Sequence, residues 1–279
     1  MLNAAELKRL YAAGERDFRG IYLPGADLTG FELNQVNFRG ADFSGANFFG
    51  ASMKNVNFRE ANLTGANLRA DLTESNLIAA NLTGANLTEA TLNYCSLRAA
   101  NLTGAILTHA SLNYAYLSEA ILQQADLSYS KMTEVALART NLLKANLTGA
   151  MMEGANFTTC LLIETNLEEA NLTGAILNGA NATKANLTKA DLSRAKINGT
   201  NLTQAILIKA NMRATNITWT TLRGCDMTGA NLYRAKLCWS NLTGANLSQA
   251  VLIDANLNQT NLQNVDFTGT IMPGGFPYN

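Results

Sequence analysis

The sequence is poor in the residues that carry most catalysis. It contains one histidine (His109) and three prolines, and only 15% of its 279 residues are charged, against roughly a quarter in an ordinary globular chain. A lone histidine cannot supply the paired imidazoles of a typical zinc site, and no acidic residue stands at obvious triad reach of it. The phosphate-cradling runs G-x-x-x-x-G-K-S/T and G-x-G-x-x-G are both missing, so no nucleotide or other cofactor is expected. Lys plus Arg and Asp plus Glu number 21 each, a formal net charge of zero. That balance disfavours direct nucleic-acid binding and equally an acidic mimic of DNA. No window approaches ~18 uninterrupted apolar residues, so no membrane partner is expected. The opening Met1-Leu2-Asn3-Ala4-Ala5-Glu6-Leu7-Lys8-Arg9 shows no basic stretch followed by an apolar one, so no secretory signal is expected either.

What is present is a period of five. From Phe18, steps of five reach Leu23, Leu28, Leu33, Phe38, Phe43, Phe48, Met53, Phe58, Leu63 and Leu68; one residue is then missing, and the count resumes at Leu72 and runs unbroken to Met272. These are eleven centres before the break and forty-one after it, fifty-two in all, of which thirty-six are Leu and none is polar. Two residues before the centre, Ala occurs thirty-two times; between the two stands most often Asn or Asp; after the centre come Thr or Ser and then Gly or a polar residue, as in Ala61-Asn62-Leu63-Thr64-Gly65. The residue at i−2 and the centre i share one face of an extended segment while i−1 points away. An α-helix needs apolar spacings of three and four, which a strict five does not supply. Each unit is therefore read as a short edge and a corner, with Leu and Ala buried and the edges coiled about one axis.

The repeat A-(N/D)-L-x-x, over residues 16–272, closely resembles the pentapeptide-repeat family. The resemblance implies an all-β fold, a right-handed quadrilateral β-helix with four repeats per coil. Fifty-two repeats then make about thirteen coils and ~62 Å of rod at ~4.8 Å per coil, a single domain over residues 1–279. The stretches Leu10–Phe18 and Ile271–Gly274 resemble cyanobacterial members, including one that influences heterocyst differentiation. The one-residue deletion near 69–71 is expected to make a tight corner or small kink, with a loop as the alternative. Asn3 followed by Glu6 starts a capping-box-like helix over 4–13, ended near Gly14 and lying on the first coil. The tail, 273–279, has no helical pattern; Phe276 and Tyr278 either fold over the last coil or leave an open end, so the chain is expected to be a monomer or an end-to-end dimer.

Cys95, Cys160 and Cys225 occupy the i−2 column, sixty-five residues apart, too far along the axis for disulfides. Cys238 is at i+1, facing out. Reduced thiols and the missing signal point to the cytoplasm. His109, at i+2, is read as a solvated corner residue. With a Leu and Ala interior there is no room for a desolvated pocket, so the chain is not expected to be an enzyme.

Function must then lie on the outer surface. Residues 1–100 carry 9 basic and 10 acidic residues, 101–180 carry 3 and 7, and 181–279 carry 9 and 4, so the last third is basic. Residues twenty apart stack in neighbouring coils, which pairs Trp219 with Trp239 and Tyr94 with Tyr114. Arg213, Tyr233, Arg234 and Lys236 lie on the Trp edge and the edge before it. This set is the candidate interaction surface of a non-enzymatic protein-binding rod, regulatory in a cyanobacterium-like bacterium. The alternative is a DNA-mimicking modulator of DNA gyrase, as some members of the family are, but those depend on strongly negative surfaces.

Overall fold

The computed structural model describes residues 2–278; Met1 and Asn279, the ends of the expected domain and tail, lie outside the described residues. The chain falls into two compact units, Met1–Asn141 and Leu142–Asn279. In each unit the backbone is a β-helical solenoid. Parallel bridges join i−1 residues twenty apart, as Asp17 to Asn37 and Tyr22 to Asp42 in the first unit and Lys196 to Asn216 and Asn216 to Lys236 in the second. Four five-residue edges therefore close one coil.

The expected all-β class needs one correction. Among the described residues these are isolated bridges, and no continuous strand forms. The i−1 residue bonds the preceding coil through both its N–H and its C=O, as Asn62 does with Ala41 and Phe43, while the C=O before it and the N–H after it bond the following coil; the chain then turns, so the ladder is built across coils and not along them.

Every N–H of a typical unit nevertheless finds an acceptor. Around Leu63, the Ala61 N–H donates to Phe58 C=O (3.0 Å) and closes the preceding corner, Asn62 N–H donates to Ala41 C=O (2.9 Å), Leu63 N–H to Asn81 C=O (2.7 Å) and Gly65 N–H to Thr83 C=O (2.9 Å). The remaining Thr64 N–H donates to the Asn62 side chain (Oδ1, 3.2 Å). Asn or Asp at i−1 is thus a local cap for the corner. At i+2, φ is positive in every complete corner from Gly20 to Gly269, and thirty-two of these residues are not glycine. A left-handed conformation costs a side-chain-bearing residue ~1–2 kcal/mol, which the stacked hydrogen bonds offset.

The short repeat keeps the coil intact. Bridges step by nineteen across it, from Ser52 to Asp71 and from Asn67 to Asn86, and return to twenty at Asp71 to Thr91. Arg69 is left as the only corner residue, Ala70 takes the i−2 place, and no left-handed residue is used there. The tight corner is found and the loop is not. It opens a notch of about 440 Å³ beside Phe49, Arg69 and Glu89. The Arg69 guanidinium lies 5.0 Å from the Phe49 ring and pairs with Glu89 at 3.1 Å.

The first helix, α1 (Ala4–Ala12), ends one residue before the expected 4–13 because Ala13 is its C-cap. Asn3 Oδ1 accepts from the Glu6 N–H (2.9 Å), and Gly14, at φ +96°, closes the other end. Leu7 is fully buried, the Tyr11 hydroxyl donates to Asn34 C=O (3.4 Å), and the Lys8 ammonium lies 5.1 Å from the Phe31 ring. The helix therefore caps the first coil. At the other end, Ile271 pairs antiparallel with Pro277 and Tyr278 packs on Phe267 at 5.0 Å between ring centroids, while Phe276 stays 75% exposed. Half of the tail's aromatic pair folds over the last coil, and half does not.

Candidate functional site

The interior is filled by the centre and i−2 columns. Centres and i−2 residues are almost all buried, and the polar members of the i−2 column turn inward to the backbone. The hydroxyls of Thr165, Thr200, Thr215 and Thr270 each donate to the C=O of the residue twenty-three positions earlier (2.7–2.8 Å). Cys95 and Cys225 direct their thiols the same way, to Leu72 C=O (2.8 Å) and Leu202 C=O (2.7 Å). Burial pushes both thiols up to about 12, so neither forms a thiolate at neutral pH. None of the four cysteines is in a disulfide, and Cys238 alone is not buried. Ellman's reagent is accordingly expected to titrate one thiol in the folded chain and four in denaturant; two or more fast thiols in the folded chain would contradict this packing. Among the described residues no group of three His, Cys, Asp or Glu side chains could hold a metal ion, and no helix is long and apolar enough to cross a membrane. His109 is exposed, and its ring stacks on Tyr129 at 5.3 Å. It is thus a rung of an outer ladder as well as a solvated side chain.

The outer candidates lie in the second unit. Trp219 and Trp239 are corner residues with φ of +60° and +62°, a conformation that throws their indoles outward. The rings stack at 5.2 Å with 6° between planes, yet remain 66% and 52% exposed. Tyr94 and Tyr114 stack in the same manner in the first unit (5.2 Å, 7°). The corner one edge before the indoles holds Arg213, Tyr233 and Arg234. Both guanidiniums lie over the Tyr233 ring, Arg213 at 5.0 Å and Arg234 at 4.8 Å from its centroid. Arg234 Nε also pairs with Asp254 at 3.3 Å. Lys236 is exposed on the flat edge that runs from this corner to the indole corner.

The six expected residues thus share one face but form two clusters, and no ring contact joins the indoles to the arginines among the described residues. Two members were missed by the sequence reading. Arg194 lines a shallow groove of about 430 Å³ with Ser193, Asn211, Arg213, Tyr233 and Arg234, and Lys196 shares the bridge column of Lys236. Both lie forty residues, two coils, before Arg234 and Lys236, so columns of twenty read two steps deep would have found them. Beside the groove, burial pushes the Asp191 carboxyl up, but the Ser193 hydroxyl and N–H and the Asn211 amide hold it below its ordinary value overall. It stays charged and occupied.

Comparison with known proteins places the chain. The profile for "Pentapeptide repeats (8 copies)" matches residues 17–55, 41–70, 70–108, 85–124, 100–137, 125–162, 165–204, 190–229 and 230–269. Among solved structures the chain is similar to HetL, a pentapeptide repeat protein involved in heterocyst differentiation regulation from the cyanobacterium Nostoc sp. strain PCC 7120, with 28% identity over 100% of both chains and a TM-score of 0.37. It is similar to Rfr23 from the cyanobacterium Cyanothece 51142, at 37% identity over 30% of this chain and 59% of that one, TM-score 0.18. It is also similar to QnrB1, a plasmid-mediated fluoroquinolone resistance protein, at 18% identity over 77% and 90%, TM-score 0.38. No curated protein matches. With its repeat matched from residue 17 to residue 269, the chain belongs to the pentapeptide-repeat family.

Proposed function

We propose that the chain is a non-enzymatic protein-interaction solenoid whose partner docks on the face bounded by the indole stack and the arginine corner. The observation that carries this reading is the exposed Trp219–Trp239 stack, large apolar area held outside the core, one edge from a cationic corner. Trp, Tyr and Arg dominate the hot spots of protein interfaces. The repeat runs through residues 141 and 142 without a linker, which supports one repeat domain; the family resemblance is what favours right-handed coils, thirteen by the count of repeats. The similarity of both chain ends to cyanobacterial members supports a regulatory role, and the free cysteines are in keeping with the cytoplasm.

The double variant Trp219→Ser/Trp239→Ser tests it. Both indoles leave from corner positions, so the melting temperature is expected to move by only a few degrees, in keeping with ~0.2–1 kcal/mol for a cross-strand pair. Capture of the partner from a cyanobacterial lysate is expected to be lost. A large melting shift, or full capture retained, makes the pair a structural ladder only. Supercoiling by DNA gyrase is expected to be unaffected by the wild-type chain; inhibition at low micromolar concentration would replace this reading with the DNA-mimic one.

A further inference from the structure

Outside residues 184–236, eight of the twelve cations have an ion-pair partner among the described residues, five of them in the neighbouring coil. Seven of the ten ion pairs among the described residues join successive coils, among them Lys54–Asp71, Arg69–Glu89, Arg139–Glu119 and Lys144–Glu164. Residues 184–236 depart from this pattern. They carry nine cations and only two carboxylates, Asp191 and Asp226. Lys189 pairs with Glu169 and Arg234 with Asp254; none of the other seven cations has an ion-pair partner among the described residues. The two carboxylates serve their own corners. Asp191 accepts from the Ser193 N–H (2.8 Å) and Asn211 Nδ2 (3.1 Å), and Asp226 from the Thr228 N–H (3.0 Å).

Five of the cations are brought together by the twenty-residue step. Arg194, Arg213 and Arg234 line the groove at one corner, and Lys196 and Lys236 share the edge that leads from it to Trp219 and Trp239. From the Arg194 coil to the Arg234 coil is two steps, ~10 Å, the span of three or four extended residues. In the corner's own columns Glu153 stands two coils before Arg194 and Asp254 one coil after Arg234, so the cationic stretch is bounded by carboxylates and matches a short acidic segment better than a long polyanion.

We infer that this face binds a short acidic peptide segment of the partner, its Asp or Glu carboxylates on Lys196, Lys236 and the corner guanidiniums and an apolar side chain on the indole stack. Arg234 already takes a carboxylate from Asp254 in this geometry, and guanidinium–carboxylate pairing is well suited to such recognition. The inference rests on the interface reading above and supplies the chemistry of the ligand.

The chain's two tryptophans both lie on the face, so intrinsic emission reports binding there selectively. The full chain is titrated at low salt with acetyl-Glu-Glu-Phe-Glu-Glu-amide, its Gln-for-Glu analogue and a short oligothymidylate. Saturable change is expected with the acidic peptide only. Lys196→Ala/Arg213→Ala is expected to weaken it about tenfold or more, Arg194→Glu/Arg213→Glu to abolish it with an unchanged circular dichroism spectrum, and Lys184→Ala to leave it within about twofold. No response to the acidic peptide, an equal response to the Gln analogue, or tighter binding of the oligonucleotide overturns the inference. If the tryptophans are required for lysate capture while the peptide fails to bind, the acidic-ligand inference falls and the interface reading stands. If the peptide binds while capture ignores the tryptophans, the reverse holds.

Discussion

Phe58→Ala is expected to destabilise the first unit by about 3–5 kcal/mol, the cost of emptying a phenyl-sized space in a core that cannot collapse. Phe58 is fully buried. Its ring stacks on Phe38 at 5.4 Å and meets Phe43 and Phe48 edge-on, each at 6.1 Å. Phe38 and Phe43 in turn contact each other at 4.9 Å. The four rings belong to consecutive coils and to adjacent edges of one coil, so loss of one leaves atoms on several backbones without partners. Phe49→Ala is the control. Phe49 follows the buried Phe48 in sequence but is 45% exposed, its ring set against the Arg69 guanidinium at the edge of the notch, so less than about 1 kcal/mol is expected. Urea unfolding followed by circular dichroism separates the two. A comparable fall in midpoint for both variants would mean that the centre column is not the core of the first unit.

Removal of residues 1–14 is expected to turn a capped end into an adhesive one. The helix buries Leu7 over the first coil, and Tyr11 and Lys8 hold it to Asn34 and Phe31. Without it the first coil offers the carbonyls and N–H groups of a whole β-helix end, together with the flank of the buried Phe18, Leu23, Leu28 and Leu33, as a template for another chain. Light scattering of the truncated protein should report concentration-dependent association well beyond that of the full chain. Leu7→Ala in the full chain keeps the test sharp if the truncated protein proves insoluble; it is expected to cost ~2–5 kcal/mol. A truncated chain that stays monomeric at high concentration, with a Leu7→Ala variant as stable as wild type, would show that the helix does not cap the solenoid.

The face argued to bind a partner was half legible in the sequence. Trp219 and Trp239 stand twenty apart, and Arg213, Tyr233, Arg234 and Lys236 lie within six residues of one or the other. Arg194 and Lys196 escaped because they lie two coils from Arg234 and Lys236, a separation at which nothing local in the chain links them. The contact of the Tyr233 ring with two guanidiniums and the shortage of carboxylates that reach these cations appear only when neighbouring coils are laid side by side.

What the sequence determined by itself is the period and what faces inward. Fifty-two apolar centres and an Ala-rich i−2 column leave only an interior that fills with Leu and Ala, and a five-residue step excludes a helix on geometric grounds. The single missing residue marked the altered corner, and Asn3, Glu6 and Gly14 marked the cap helix to within one residue. The tertiary structure decided the rest. Asn or Asp at i−1 is there because a corner N–H would otherwise have no acceptor. Thr and Cys enter the Ala column because a carbonyl of the previous coil accepts from them. Tyr, His, Trp, Glu and Lys all adopt a left-handed backbone at i+2 because the corner must turn whatever residue occupies it. The Asn or Asp cap is a bond within one unit, but the carbonyls that accept from Thr, from Cys and from the corner N–H at i+2 belong to a neighbour about twenty residues away, held ~4.8 Å off by backbone hydrogen bonds, and no property of a five-residue unit read alone contains that neighbour.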